Sequence, residues 1–225
     1  MKVFITKTAL SALLLTFTLE CQAGIVIGGT RLIFHGDKKE ASISVNNPDS
    51  VPYLIQSWIE TENSASAKGS FLITPPLFRL DGSQKNLLRI ENISPQPEDR
   101  ESLFWLNVKA IPSTKKQENA LKIAVKNRLK MIYRPASLNA QEPEALADKL
   151  RWQQGGGALT VNNPTPYYMN FMYVRLNGQA VKTATYVAPH ATARFSLPAN
   201  VSGNQLRWAL ITDHGGSGKE HQTSL

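Results

Sequence analysis

Between Ile25 and Tyr133 the chain is cut into short apolar runs, each stopped within a few residues by asparagine, proline, aspartate or glycine. Residues 41–45, Ala-Ser-Ile-Ser-Val, alternate apolar with polar and stop at Asn46-Asn47-Pro48. Residues 53–59 are rich in aliphatic and aromatic side chains, 71–73 precede Thr74-Pro75-Pro76, and Asp81-Gly82 marks a turn before 87–90. The runs 103–111 and 121–133 are the longest. Extended backbone sends successive side chains to opposite faces, so alternation of this kind is a strand signal. About seven short strands at regular spacing predict an antiparallel sandwich.

The pattern then repeats. Residues 158–161 end at Asn162-Asn163-Pro164, residues 168–176 end at Asn177-Gly178, and 183–187, 191–197 and 206–212 follow. This reads as a second, smaller sandwich. Between the two lies the stretch 135–152. Its one helical-looking piece, 143–150, carries Glu142 and Glu144 near its start and Lys149 near its end, the charge order a helix dipole favours. The expected division is a leader over 1–23, a first domain over 24–142 and a second over 143–225. The tail from Gly215 is rich in glycine and serine and is expected to fray. One X-Pro bond in Thr74-Pro75-Pro76 is a candidate for the cis form, with Pro75 and Pro76 both open.

The first residues read as an export signal. Lys2 and Lys7 precede an apolar run over 9–19, and Cys21-Gln22-Ala23 presents small residues where a signal peptidase cuts, so cleavage is expected after Ala23. The run is shorter than the roughly 20 residues a bilayer span requires. Cys21 is the lone cysteine and leaves with the leader, so the exported chain folds in an oxidising compartment without a disulfide or a thiolate metal site. Losing Lys2, Lys7 and Glu20 lowers the formal charge of +8 by one. That surplus favours acidic partners, and export makes nucleic acid a poor one. Lys115-Lys116 reads as a solvated loop, being too short for a polybasic signal.

Enzyme chemistry finds no foothold in the residue pattern. His35, His190, His214 and His221 stand in no metal-binding spacing with one another or with a carboxylate. No Gly-x-Ser-x-Gly turn occurs, and Gly155-Gly156-Gly157 lacks the Lys-Ser/Thr that completes a phosphate loop. Glu98, Asp99 and Glu101 read as surface charge. No catalytic residue, metal or cofactor is expected.

Several segments taken together resemble the periplasmic pilus (fimbrial) assembly chaperone family. The run Glu98-Asp99-Arg100-Glu101-Ser102-Leu103-Phe104-Trp105-Leu106-Asn107-Val108, closing with Ile111-Pro112, is similar to the family's most recognisable signature, though Gln96 stands where an aliphatic residue is usual. Residues 121–135, ending Met131-Ile132-Tyr133-Arg134-Pro135, are similar to the last strand of the family's first domain, and Gly29-Thr30-Arg31-Leu32-Ile33-Phe34 to its first strand. Residues 53–59, Thr74-Pro75-Pro76, Asn163-Pro164-Thr165-Pro166-Tyr167-Tyr168 and Asp213-His214-Gly215-Gly216 extend the likeness over nearly all of the exported chain. Many members carry a second-domain disulfide, which this chain lacks.

The resemblance implies an all-β protein of two immunoglobulin-like β-sandwich domains set at an angle, exported to the periplasm of a Gram-negative bacterium. It implies a binding protein rather than an enzyme. Its partners would be pilus subunits, which lack their final strand, and an outer-membrane usher that receives them, with self-pairing when free. Arg31 and Lys130 are implied as the anchor for the subunit's terminal carboxylate; on composition alone each is an ordinary solvated cation. Leu121, Ile123 and Val125 share one strand face, which by itself is core patterning; the resemblance implies that they point outward and fill the subunit's groove. Lys122, Lys126 and Arg128 fall on the opposite parity and limit self-pairing. Glu101, Arg134 and Asp213 match an interdomain charge network. The short loop between Pro112 and Leu121 resembles the class serving rod-like pili. The competing reading is a structural fimbrial subunit or an exported β-sandwich adhesin.

Overall fold

The computed structural model describes residues 24–63, 65–67, 69–113, 121–198, 201 and 203–225. The expected leader, Lys115-Lys116 and the body of the loop between Pro112 and Leu121 lie outside the described residues. The first half contributes β1 (Val26–Ile27), β2 (Arg31–His35), β3 (Glu40–Asn46), β4 (Tyr53–Thr61), β5 (Phe71–Thr74), β6 (Leu77–Leu80), β7 (Lys85–Asn92), β8 (Ser102–Pro112) and β9 (Val125–Arg134). One sheet runs β1-β3-β7-β5 and the facing sheet runs β2-β9-β8-β4-β6. Their inner faces close over Phe34, Ile55, Leu88, Ile90, Leu106 and Met131, all essentially sealed from solvent. Phe34, Phe71, Phe104 and Tyr133 pack ring against ring at the centre, with Phe71 edge-on to Phe104 at 4.7 Å.

The second half contributes β10 (Arg151–Gly155), β11 (Ala158–Asn162), β12 (Met169–Leu176), β13 (Gln179–Ala180), β14 (Tyr186–Val187), β15 (Thr192–Ser196), β16 (Gln205–Ile211) and β17 (Ser217–Ser224). The order β10-β11-β15 faces β13-β12-β16-β17, with β14 paired to β12. Leu159, Met169, Leu176, Leu206 and Leu210 fill its core beside a Trp152, Phe171, Trp208 cluster. A small third cluster of Leu103, Ile132 and Tyr168 joins the two halves.

The two Asn-Asn-Pro punctuation marks do the same work in each half. Asn47 is fully buried and its side-chain amide donates to the carbonyls of Val51, Leu80 and Asp81, while its Oδ1 accepts the Asp49 amide. Asn163 is buried likewise and donates to the carbonyls of Tyr167 and Ala188, while its Oδ1 accepts from the amide and hydroxyl of Thr165. A buried asparagine that satisfies several otherwise unpaired backbone groups fixes a bend that hydrophobic packing alone leaves open.

Four details differ from the sequence expectation. The tail does not fray: β17 pairs with β16 from Ser217 to Ser224, and His221 stacks on Trp208 at 5.6 Å. Its polar composition reflects an edge position, where among its residues only His221 is buried. The 143–150 piece is a 3-10 helix over Pro143–Lys149 rather than an α-helix, ended by an extended Leu150. Strand β9 begins at Val125, because its ladder with β8 ends at Ala110↔Val125; Leu121–Ala124 lie beyond the sheet. The run at 183–187 contracts to β14, while β6 and β10, each bordered by turn residues, add strands the alternation did not mark. The Thr74–Pro75 bond is the cis one.

If β17 is an integral strand, deleting residues 217–225 exposes β16 and uncovers Trp208. The urea midpoint of the second domain, followed by tryptophan fluorescence, should then drop by at least about 1 M. A midpoint matching the full chain would return the tail to the status of an ornament.

Candidate functional site

Strand β2 runs parallel to the last half of β9, in a register that makes Arg31 the Cα partner of Lys130. Even-numbered residues of β9 point away from the first-domain core, whose row is Leu129, Met131 and Tyr133. Lys130 therefore leaves the core face and enters a cleft of about 360 Å³ between the domains. Arg31, Trp105, Arg128 and Lys130 line it from the first domain, and Met172 and Ile211 from the second.

The two cations sit there under electrostatic load. Burial, and then the charge of Arg31, lower the Lys130 pKa to about 8, while Glu62 pulls the other way. Lys130 Nζ donates to Asn170 Oδ1 at 2.5 Å and lies 4.1 Å from the centre of the Tyr186 ring. Burial likewise pulls the Arg31 guanidinium below its ordinary range, against the attraction of Asp213 and Glu101. Arg31 makes one long bond to the Ile211 carbonyl at 3.4 Å, and its buried Nε has no hydrogen-bond partner among the described residues. A buried donor without an acceptor is costly, so this pair favours an arriving anion.

Beside the cleft, Glu101, Arg134 and Asp213 meet in one network. Arg134 Nε donates to Glu101 Oε1 at 2.7 Å, and its two terminal nitrogens grip Asp213 as a fork at 2.6 and 2.9 Å. Glu101 is 2% exposed, and its second oxygen accepts the amide of Tyr168 at 2.7 Å. Its own amide donates to the Pro166 carbonyl. Burial alone would lower the Arg134 pKa, but the bond to Asp213 and the charges of Glu101 and Asp213 hold it above its ordinary range. The turn that carries Asp213 approaches the first domain closely: Gly215 has φ 85°, and a Cβ there would lie 2.2 Å from Thr30 Oγ1. A side chain there would strain the backbone and force the Thr30 side chain to move.

Leu121, Ile123 and Val125 are 86%, 64% and 52% exposed. They share parity with Leu129 and Met131, so the core-facing row of β9 continues past the end of its own sandwich into solvent. The pairing with β2 spans Lys130–Arg134 only. From Val125 to Leu129 the edge of β9 opposite β8 carries no strand among the described residues.

The structure thus brings Arg31 to Lys130, joins Glu101, Arg134 and Asp213, and exposes the three aliphatics. Sequence reading did not find Asn170, Tyr186 or Glu62, which meet Lys130 only once the domains pack. Nor did it give a cleft role to Trp105 and Arg128; Arg128 shares strand parity with Lys130, whereas Trp105 meets it only through the β8–β9 register. It also treated the histidines as isolated, whereas His221 contacts Asp148 at 2.6 Å and Glu144 at 3.2 Å from more than seventy residues away.

Two family models together match most of the described chain. Residues 24–139 match the family described as "Pili and flagellar-assembly chaperone, PapD N-terminal domain", and residues 145–222 match "Pili assembly chaperone PapD, C-terminal domain". The chaperone protein FimC of Escherichia coli K12 is 40% identical over 200 residues, covering 86% of this chain and 81% of its own length. The E. coli chaperone DraB superposes with a TM-score of 0.81 at 35% identity, over 90% of this chain and 96% of its own. The solved complex of the Salmonella enterica SafA pilin with the SafB chaperone gives a TM-score of 0.83 at 35% identity, with the same coverage of the two chains.

Removing one partner of a buried charge network strands the others. Arg134→Leu should therefore cost about 3–5 kcal/mol in equilibrium urea unfolding, whereas Arg79→Leu, which breaks an exposed pair with Asp81, should cost under about 1 kcal/mol. Equal costs for the two would deny the network its role in joining the domains.

Proposed function

The chain belongs to the PapD-type family of pili assembly chaperones, and on that premise we propose that it caps unfinished pilus subunits by lending them the edge of β9 and holding their chain end in the cleft. It does this in the periplasm of a Gram-negative bacterium after its leader is cleaved, and passes the subunit to an outer-membrane usher. Its role is one of binding, not catalysis.

The observation that carries this reading is where the β2 pairing stops. An extended segment laid on the open edge of β9, parallel to it, would run in line with β2 and end against Arg31 and Lys130. Its terminal carboxylate would then meet a planar guanidinium and an ammonium, and charge-assisted hydrogen bonds to such groups contribute about 1.5–3 kcal/mol each. Main-chain pairing along the edge supplies affinity, and pockets in the subunit that receive Leu121, Ile123 and Val125 supply register. Burying each aliphatic side chain adds on the order of 1.5–3 kcal/mol before the cost of ordering the segment. Parallel addition is what joins the two halves of the site: an antiparallel segment would bring its amino end to the cations.

Arg31→Ala and Lys130→Ala should leave the unfolding free energy from urea titration within about 0.5 kcal/mol of wild type but lower subunit capture at least tenfold, roughly the loss of one charged hydrogen bond. Co-expression with the exported β-sandwich proteins of the same locus, followed by gel filtration, reads this as loss of an equimolar soluble complex. Wild-type capture by both variants would end the anchor assignment, and finding the chain built into the fibre would instead mark it as a subunit. Ile123→Asp should weaken capture more than it lowers the chaperone's own melting temperature.

The depressed Lys130 pKa predicts a pH profile with a definite sign. The ammonium is the form that binds a carboxylate, so capture should weaken as pH rises through about 8. Because the pKa in the folded protein lies below the ordinary lysine value, the free chaperone itself should gain stability between pH 8 and about 10.4 rather than lose it. Lys130→Arg, which keeps its charge, should flatten the alkaline limb of capture; a limb unchanged in that variant would assign it to another group.

A further inference from the structure

Lys130 is held by residues of both domains in a way that the anchor role alone does not demand. Its ammonium lies 4.1 Å from the centre of the Tyr186 ring, and the Tyr186 hydroxyl donates to Glu62 Oε1 at 2.6 Å. Tyr186 belongs to β14 in the second domain, and Glu62 directly follows β4 in the first. The bond therefore spans the cleft and makes an interdomain tie separate from the Arg134 network. Tyr168 packs beneath Tyr186 at 5.9 Å and is itself part of the apolar cluster that joins the domains.

We propose that Tyr186 and Glu62 form the positioning pair that seats the Lys130 ammonium and keeps it charged but unneutralised for an incoming chain end. The inference rests on the reading of Lys130 as the anchor and adds what holds that anchor ready. The groups facing Lys130 are Arg31 on β2, Arg128 on β9, Trp105 on β8, Asn170 on β12, and Tyr186 with Glu62. Arg31 repels the ammonium, and burial strips its water, so something must compensate or the proton is lost.

A carboxylate in direct contact would compensate, but it would also occupy the donors that the subunit's own carboxylate needs. The arrangement found here avoids that competition. Asn170 offers a neutral oxygen, and the ring of Tyr186 offers the negative face of its quadrupole, which attracts a cation without neutralising it. Glu62 acts one group removed. Its charge is spent on the phenol hydroxyl, which makes the ring more electron-rich and leaves Lys130 Nζ free to turn toward a ligand. Burial, followed by the bond to Glu62, raises the Tyr186 pKa to about 12, so the hydroxyl remains a donor throughout the range in which Lys130 titrates.

The test is made on the free protein labelled with ¹³Cε-lysine, with the Lys130 resonance assigned by its loss in Lys130→Arg. Glu62→Gln and Tyr186→Leu should each lower the Lys130 titration midpoint by at least about 0.3 pH unit, and Tyr186→Phe, which keeps the ring but not the tie, should fall between them and wild type. A role confined to holding the domains together would change melting temperature without moving that midpoint. A shift of less than about 0.3 unit in both Glu62→Gln and Tyr186→Leu overturns the proposal; should Tyr186→Leu fail to fold, Tyr186→Phe with Glu62→Gln decides it by the same threshold. Because no subunit is present, the result stands apart from capture: normal capture by Lys130→Ala would remove the anchor reading while leaving the measured seat of Lys130 as found.

Discussion

A single parallel pairing, β2 against the last half of β9, decides where everything else in the molecule falls. It begins at Arg31↔Lys130 and runs to His35↔Arg134. Because it begins there, two cations from distant parts of the chain become neighbours. Because it begins no earlier, the stretch of β9 before Lys130 keeps an open edge. Because it continues to Arg134, the same strand also delivers the guanidinium that binds the second domain through Asp213. Open edge, cleft lysine and domain tie are thus successive segments of one strand.

Placing Arg31 beside Lys130 opposes folding. Both are partly buried, both lose hydration, and each repels the other. Strain of this kind persists only where the surroundings over-determine it. Here the surroundings are the Arg134 network on one side and the Asn170, Tyr186 and Glu62 contacts on the other. The first is rigid and fully paired, with Glu101 satisfied by both Arg134 and the Tyr168 amide. The second leaves the lysine's charge intact. Such a division suits a binding protein, in which the domain angle must stay fixed while the ligand site stays unfilled.

The strands were legible because alternation and turn residues are local. Residues 41–45 show their own face and their own stop at Asn46-Asn47-Pro48, and residues 158–161 stop at Asn162-Asn163-Pro164. The tail misled for a physical reason: an edge strand such as β17 needs no apolar row when only His221 turns inward onto Trp208. Leu121, Ile123 and Val125 show the limit of pattern reading. Their parity is that of core residues, and nothing local reveals that the sandwich ends before they do. Asn170, Tyr186 and Glu62 were out of reach altogether, because their meaning comes from the domain interface. Glu101 and Asp213 look like ordinary surface charge in the sequence until Arg134 stands between them.

An exposed aliphatic row on an unpaired edge is the feature that soluble β proteins usually eliminate, because it templates pairing with any other open strand. In β9 that row stands beside cations. Lys126 and Arg128 alternate with the aliphatic positions, Lys126 lying 5.8 Å from the Trp58 ring centre and Arg128 stacked on Trp105 at 4.1 Å beside Glu60. Two copies of this strand laid side by side would bring like charges onto the same face, where they repel across the ladder. A partner whose facing strand is acidic would be attracted by the same residues. Any such repulsion between two copies weakens as salt screens those charges, since they lie at the surface.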